Sequence, residues 1–319
     1  MDSQPVVVRR LEQRLRERIT DTLRIVLPEV SRVVIEGARI FVSEYGGTVL
    51  FVGDEAAIRA GAEGLGWTLP AQVEIADSRA SRLGAMETAL ELVGEGAADG
   101  IVAGAVLESA DVLRAALSRL RVGDRWSGQG VVLVTMGGRV MVFADCTVML
   151  DPDADRLAAM ACDVADAFER LVGERPCIAM LSYKTNAGTS DPDVAKMRRA
   201  AELVRLLRPD LRVDGELQFD AAFDTGVARI KAPNSAVAGH ANTFIFPDLA
   251  SANIGYKIAQ YAGGAEFLFV FATAVHPPVI NLSRGATPRV VARSLAACAV
   301  LAALGKERAL QAGTTASRA

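Results

Sequence analysis

Short β-branched runs alternate with longer helical stretches along the whole chain, and this alternation restricts the fold to the α/β class, with mainly parallel strands joined by crossover helices. The strand-like runs are Arg24 to Leu27, Thr48 to Val52, Ile101 to Ala103, Val131 to Val134, Val140 to Phe143, Ile178 to Leu181, Thr243 to Phe246 and Phe267 to Phe271. Between two of them, Leu157, Met160, Ala161, Val164, Phe168 and Leu171 recur at offsets of three and four, which predicts an amphipathic helix after Asp153. A second helix is predicted from Asp191 as N-cap and Pro192 in the first turn, through Val194, Met197, Ala201 and Val204, to a stop at Pro209. The 319 residues suffice for one large domain or two of about 150. Asp151-Pro152-Asp153 is the best candidate for a crossing between two α/β domains, and a returning C-terminal helix would require a second one.

Composition narrows the function classes. Lys plus Arg is 35 against 38 Asp plus Glu, giving a net charge of −3, which argues against a duplex nucleic-acid binder. The mean hydropathy is +0.25, yet no apolar run approaches the roughly 20 residues of a spanning helix, and the Arg-rich N-terminus lacks the apolar core of a signal peptide. The four cysteines have no CxxC spacing and only His240 and His276 are histidines, so no zinc site is expected and a reduced, cytoplasmic compartment is the simplest reading.

Neither G-x-G-x-x-G, nor a phosphate-binding G-x-x-x-x-G-K-[ST] loop, nor a G-x-S-x-G elbow is present. The most informative segment is Asn281-Leu282-Ser283-Arg284-Gly285-Ala286-Thr287-Pro288. It joins an apolar strand to a helix with Thr287 as N-cap and Pro288 as first residue, so backbone N–H groups and the positive helix end accompany an arginine and a hydroxyl. Such an arrangement suits an anion; an ordinary capped loop explains the same residues about equally well. The polar loop Ser182 to Ser190 follows another strand, where either ligand binding or helix capping is served. Asp214 to Ala222 gathers three carboxylates ahead of Lys231 to Ser235; surface ion pairs account for such a cluster more often than acid/base chemistry does.

Taken in order, these segments resemble the phosphate acetyl/butyryltransferase family. The strings are Arg24 to Glu29 (RIVLPE), Ala98 to Ala105 (ADGIVAGA), Ala110 to Arg114 (ADVLR), Phe143 to Cys146 (FADC), Asp214 to Ala222 (DGELQFDAA), Lys231 to Ser235 (KAPNS), Phe244 to Leu249 (FIFPDL), Asn253 to Lys257 (NIGYK) and Leu282 to Gly285 (LSRG). The resemblance implies two α/β domains of the isocitrate/isopropylmalate dehydrogenase kind with the active site in the cleft, here expected as 1–147 with 285–319, and 148–284. It implies reversible acyl transfer between acyl-CoA and inorganic phosphate, giving acyl phosphate and CoA, by a homodimer with no permanently bound cofactor, no metal, no nucleic acid and no membrane partner. On this likeness Ser283 bonds the CoA sulfur, Arg284 holds phosphate and offsets charge on the carbonyl oxygen, and Arg114, Asn281, Ser182 and Thr185 contact substrates.

Several positions depart from that pattern. The family's basic aspartate, seven residues beyond the serine, is Val290; an expected arginine is Tyr261; the usual Asn-Asp pair is Ile280-Asn281; and a hydroxyl-rich pair is Leu107-Glu108. The basic insertion of the acetyltransferases, expected between about Ala80 and Ala85, is absent, as it is in butyryl-type members. Glu108 and His276 are the candidates to replace the lost base. The alternative to an enzyme is a catalytically impaired member that binds acyl-CoA or a partner in a regulatory or structural role. A dehydrogenase of the same cleft-bearing type is disfavoured by the missing nicotinamide and metal-carboxylate patterns.

Overall fold

The computed structural model describes residues 6–20, 22–77, 82–120, 130–186, 188, 190–272 and 276–316. The chain forms two compact units. One, the split unit, comprises Arg9–Asp124 and Leu268–Ala319; the other, the central unit, comprises Met1–Val8 and Arg125–Phe267.

The split unit runs α1 (Val6–Arg18, of which Val6–Val8 group with the central unit), β1 (Arg24–Leu27), α2 (Arg32–Tyr45), β2 (Thr48–Gly53), α3 (Glu55–Glu63), β3 (Val73–Asp77), α4 (Arg82–Gly94), β4 (Gly100–Ala103) and α5 (Ser109–Arg119). The central unit follows with β5 (Gly130–Met136), β6 (Arg139–Ala144), α6 (Ala154–Val172), β7 (Cys177–Leu181), α7 (Pro192–Leu207), β8 (Arg212–Leu217), α8 (Phe219–Phe223), α9 (Thr225–Lys231), β9 (Thr243–Ile245) and α10 (Leu249–Tyr261). The split unit is then completed by β10 (Glu266–Ala272, joining the unit from Leu268 on), β11 (Val279–Asn281) and α11 (Pro288–Ala316).

In the split unit the strand order is β3-β2-β1-β4-β11-β10, parallel except for β10 against β11. The chain walks from β1 outward to β3 and then returns to the other side of β1, so the carboxyl ends of β1 and β4 form a topological switch point. In the central unit the order is β5-β6-β9-β7-β8, parallel except for the β5–β6 hairpin, whose turn uses Gly137 and Gly138 at φ 58 and 75. Its core holds Phe143 edge-on to Phe244 and Phe246, with centroids 5.5 Å apart in both pairs.

The predicted helices form for the reasons the pattern gave. Asp153 accepts the N–H of Arg156 at 2.9 Å and Gly173 ends α6 in the left-handed region, while Leu157, Met160, Ala161, Val164, Phe168 and Leu171 are buried. Asp191 caps α7 through the N–H groups of Asp193 and Val194.

Two expectations change. The unit bounds fall between Leu120 and Gly130 and between Phe267 and Leu268, where the expectation was near 147/148 and 284/285. The β5–β6 hairpin is zipped to β9 and so stays in the central unit; β11 pairs with β4, which keeps Ser283 and its strand in the split unit. Asp151-Pro152-Asp153 is therefore a helix start within the central unit, with Asp151 accepting from Lys196 at 2.7 Å. Second, α11 contains a stretch, Pro288–Lys306, long and apolar enough to cross a membrane by length and composition, although no run of unbroken apolar residues announced it; 61% of it is buried inside the fold. It lies so close to α2 that a Cβ on Gly37 would meet the Val291 Cβ at 2.5 Å, and it buries Arg293 in an ion pair with Glu12 at 2.7 Å.

Candidate active site

Ser283 and Arg284 follow β11 after a single residue, Leu282, and precede the first turn of α11. The strand end is held by the Leu282 N–H on the Ala103 carbonyl at 2.6 Å, and the turn by the Ala286 N–H on the Ser283 carbonyl at 2.9 Å. Thr287 accepts the Val290 N–H at 3.3 Å, so Thr287 and Pro288 open the helix as the sequence predicted. Ser283 is exposed, and Arg284 projects into solvent with its Nη1 3.3 Å from the Glu108 Oε1. An exposed guanidinium beside a helix N-terminus is suited to bidentate binding of phosphate, and here its first partner is a carboxylate.

The adjoining loop, Gly104 to Leu107, carries a feature that the sequence did not reveal. The Glu29 side chain, only 5% exposed, accepts the N–H groups of Gly104 (2.9 Å), Val106 (3.2 Å) and Leu107 (2.7 Å) on Oε1, and that of Ala105 (2.9 Å) on Oε2. Gly104 adopts φ +106, and a Cβ there would meet the Asn281 Oδ1 and the Leu282 carbonyl oxygen at 2.5 Å, so glycine is required by both backbone conformation and space. Asn281 is buried and its Oδ1 has no hydrogen-bond partner among the described residues. Glu29 stood within a string that marked the family, but no spacing rule links it to a loop about 75 residues away.

Of the two candidates named for the missing base, Glu108 is the one that lies beside Arg284. The His276 ring lies against Gly305, where a Cβ would collide with it, 17 residues along α11 from Pro288. At 1.5 Å per residue this is roughly 25 Å from the helix start that follows Arg284. His276 therefore does not fit the base role: β11 separates it from Ser283 along the strand direction. Val290 is half-buried in the first turn of α11, and Tyr261 ends α10 with 81% exposure. Arg114 lies on α5 and pairs with Asp111 at 2.7 Å.

In the central unit, Ser182 and Thr185 lie just past β7. The Thr185 hydroxyl accepts the Gln218 N–H at 2.9 Å, the Lys231 Nζ reaches the Gln218 Oε1 at 3.0 Å and the Asp220 Oδ2 at 2.7 Å, and the Ser182 Oγ accepts the Lys184 N–H at 3.5 Å. The hydroxyl loop and the DGELQ and KAPNS strings are thus one network. The Lys231 ammonium holds the Asp220 carboxyl below its ordinary range. Glu216 is buried under a two-bond Arg198 clamp, both bonds at 2.9 Å, which leaves this carboxylate with a structural partner.

Asp145 directly follows β6 at 3% exposure and accepts the N–H groups of Gly130 (3.0 Å), Thr147 (2.8 Å) and Val148 (3.1 Å) on Oδ1 and that of Met149 (2.7 Å) on Oδ2. Burial pushes its carboxyl up, and the four N–H groups oppose that rise. The thiols of Cys146, Cys162, Cys177 and Cys298 are free and are pushed up by burial, which suppresses the thiolate that nucleophilic chemistry needs. Among the described residues, no group of three His, Cys, Asp or Glu side chains is placed to hold a metal.

The sequence model of a family described as phosphate acetyl/butaryl transferase matches residues 81–299. The chain belongs to this family. A phosphate acetyltransferase from Paracoccus denitrificans is 38% identical over 215 residues, covering 64% of this chain and 67% of that protein. One from Nitrosomonas europaea is 34% identical over 307 residues, 88% of this chain and 44% of that protein. The chain thus spans about two thirds of the former relative and under half of the latter. Among solved structures, a phosphotransacetylase from Streptococcus pyogenes superposes with a TM-score of 0.81 at 34% identity, covering 92% of this chain and 98% of that one. The EutD phosphotransacetylase from Staphylococcus aureus gives 0.81 at 28% identity, covering 94% and 100%. The two-domain, mostly parallel α/β architecture expected from the sequence is the one this acyltransferase family has.

Proposed function

We propose that this chain is a phosphate acyltransferase of its family, catalysing reversible acyl transfer between acyl-CoA and inorganic phosphate, with Ser283 and Arg284 at the centre. The observation that carries the reading is the placement of Arg284 at the start of α11, beside an exposed serine and 3.3 Å from the Glu108 carboxylate. In the direction of acyl-phosphate synthesis, a phosphate oxygen attacks the thioester carbonyl carbon, the new C–O bond forms, the C–S bond breaks, and CoA leaves as thiolate before taking a proton. Arg284 binds the attacking phosphate and offsets the charge on the carbonyl oxygen, and the Ser283 hydroxyl donates to the departing sulfur. In the reverse direction the CoA thiol must lose its proton. Glu108 takes it in place of the family's aspartate, which is Val290 here.

Arg114 toward CoA, Ser182 and Thr185 toward phosphate, and Asn281 as a further substrate contact complete the proposed set. The protein acts in the cytoplasm, and as a homodimer; Ile254, Ile258 and Tyr261 present an exposed apolar stripe on α10 suited to an interface. CoA is a substrate and no resident cofactor takes part.

Thiol release from a series of acyl-CoAs with and without phosphate tests the reading. Phosphate-dependent release is expected, at least about a hundredfold weaker in Arg284→Ala, which removes an oxyanion-stabilising donor. Glu108→Gln is expected to lose about a hundredfold in the thiol-consuming direction. Val290 and Tyr261 favour the second reading, a binding member without turnover; retained CoA binding with no phosphate-dependent release from any acyl-CoA establishes it.

A further inference from the structure

We infer that Glu29 is a positioning residue for this site: a resident anion at the switch point of the split unit, it fixes the loop that sets Glu108 against Arg284. The inference rests on the acyltransferase reading above and extends it to a residue that contacts neither reacting group.

The carboxyl ends of β1 and β4 diverge where an open α/β sheet ordinarily receives its ligand, and successive backbone N–H groups at such a place form an anion nest. In this chain the nest is filled from within. Glu29, two residues past β1, satisfies four consecutive N–H groups, Gly104 to Leu107, just past β4, and a carboxylate has about four acceptor sites to offer. Two consequences follow. The phosphate of the substrate and the phosphates of CoA are denied this nest, and the start of α11 with Arg284 is left as the anion site on this edge. The loop is also anchored on both sides. Glu29 holds its N–H groups, while its first residue, Gly104, lies against Asn281 and Leu282, the two residues before Ser283. The next residue after the anchored four is Glu108. It stands at the N-cap of α5 in extended conformation without using its side chain for the cap, and that side chain reaches Arg284 instead. A displacement of the loop therefore moves Glu108, and through the Gly104 contact it reaches the strand end that carries Ser283.

Three variants test this. Glu29→Gln keeps the shape but turns an N–H₂ toward backbone donors; Glu29→Asp keeps the charge on a shorter arm; Glu29→Ala empties the nest. The expected result for Glu29→Gln is a phosphate KM raised about tenfold or more, as loss of a charge-assisted hydrogen bond implies, with the acyl-CoA KM within about threefold of the parent. Glu29→Asp recovers part of the loss, and added formate restores turnover to Glu29→Ala. A purely structural role would lower the melting temperature and the active fraction while leaving both KM values unchanged; that outcome, or formate without effect on folded Glu29→Ala, overturns the inference. Amide hydrogen exchange at Gly104 to Leu107, measured without substrates, separates it from the acyltransferase reading. Fast exchange in Glu29→Ala with protection returned by formate supports the anchoring, and unchanged exchange overturns it whatever the turnover. If the parent shows no turnover while exchange behaves as expected, the acyltransferase reading falls and the catalytic part of the role falls with it. Should Glu29→Ala not fold, Glu29→Gln carries the KM and exchange measurements.

Discussion

Each unit buries one carboxylate at the end of a strand and wraps it in four backbone N–H groups, Glu29 after β1 and Asp145 after β6. The bonding is alike and the reach is not. Three of the donors to Asp145 are two to four residues downstream, and the fourth, Gly130, starts the partner strand of the same hairpin; the group ties off its own turn. Glu29 takes all four donors from a loop 75 to 78 residues later, across the switch point, and that loop runs straight into Glu108. A local nest closes a turn, whereas a long-range nest fixes one functional loop against another. Damage at Asp145 is therefore expected to appear as lost stability, and damage around Glu29 as lost geometry at Arg284.

Gly104→Ala should produce the largest effect and tests the split-unit side. The new Cβ meets two oxygens at 2.5 Å, with φ at +106. Overpacking and the unfavourable dihedral together cost about 3 kcal/mol or more, as unfolding in urea would read. Relief requires the loop to slide away from Asn281, so any folded fraction should also lose phosphate-dependent thiol release beyond what the folded fraction explains. A stable, fully active Gly104→Ala would break the coupling between this loop and Ser283.

The layout of the elements was far more legible in the sequence than the wiring of the site. The strands rich in Val and Ile, and helices α6 and α7 with their caps, follow local rules that act over a few residues. Two strands escaped the pattern, and a third was read only as a short apolar run before the Ser283 turn. In β8, Asp214, Gly215 and Glu216 disguise a strand whose buried Glu216 is matched by Arg198 on α7; β3 alternates acidic with apolar residues; and β11 has only three residues. Ser283 and Arg284 were found because a helix start has a sequence signature. Choosing between Glu108 and His276 required knowing which end of α11 each one meets, and seeing the role of Glu29 required the β1–β4 pairing, neither of which periodicity contains.

Asp145→Asn sharpens the other side of the comparison and should give the smaller effect. An asparagine keeps one acceptor oxygen but presents an N–H₂ to a backbone donor, which costs about 1–3 kcal/mol in a buried setting. Turnover per folded molecule should be unchanged, since none of the donors belongs to the Arg284 site. The pH dependence gives an independent check. Burial raises the Asp145 carboxyl in the folded chain above its ordinary value of 3.8, so between those two values the folded state holds a proton that the unfolded state has released. Stability from this group is then fully present below the unfolded value and declines as pH rises through the folded one. The asparagine variant cannot release that proton, so its urea midpoint should fall less steeply than the parent's as pH rises from about 4. An identical slope in the two proteins would mean that the four N–H groups cancel the burial completely, and Asp145 would then differ from Glu29 only in reach.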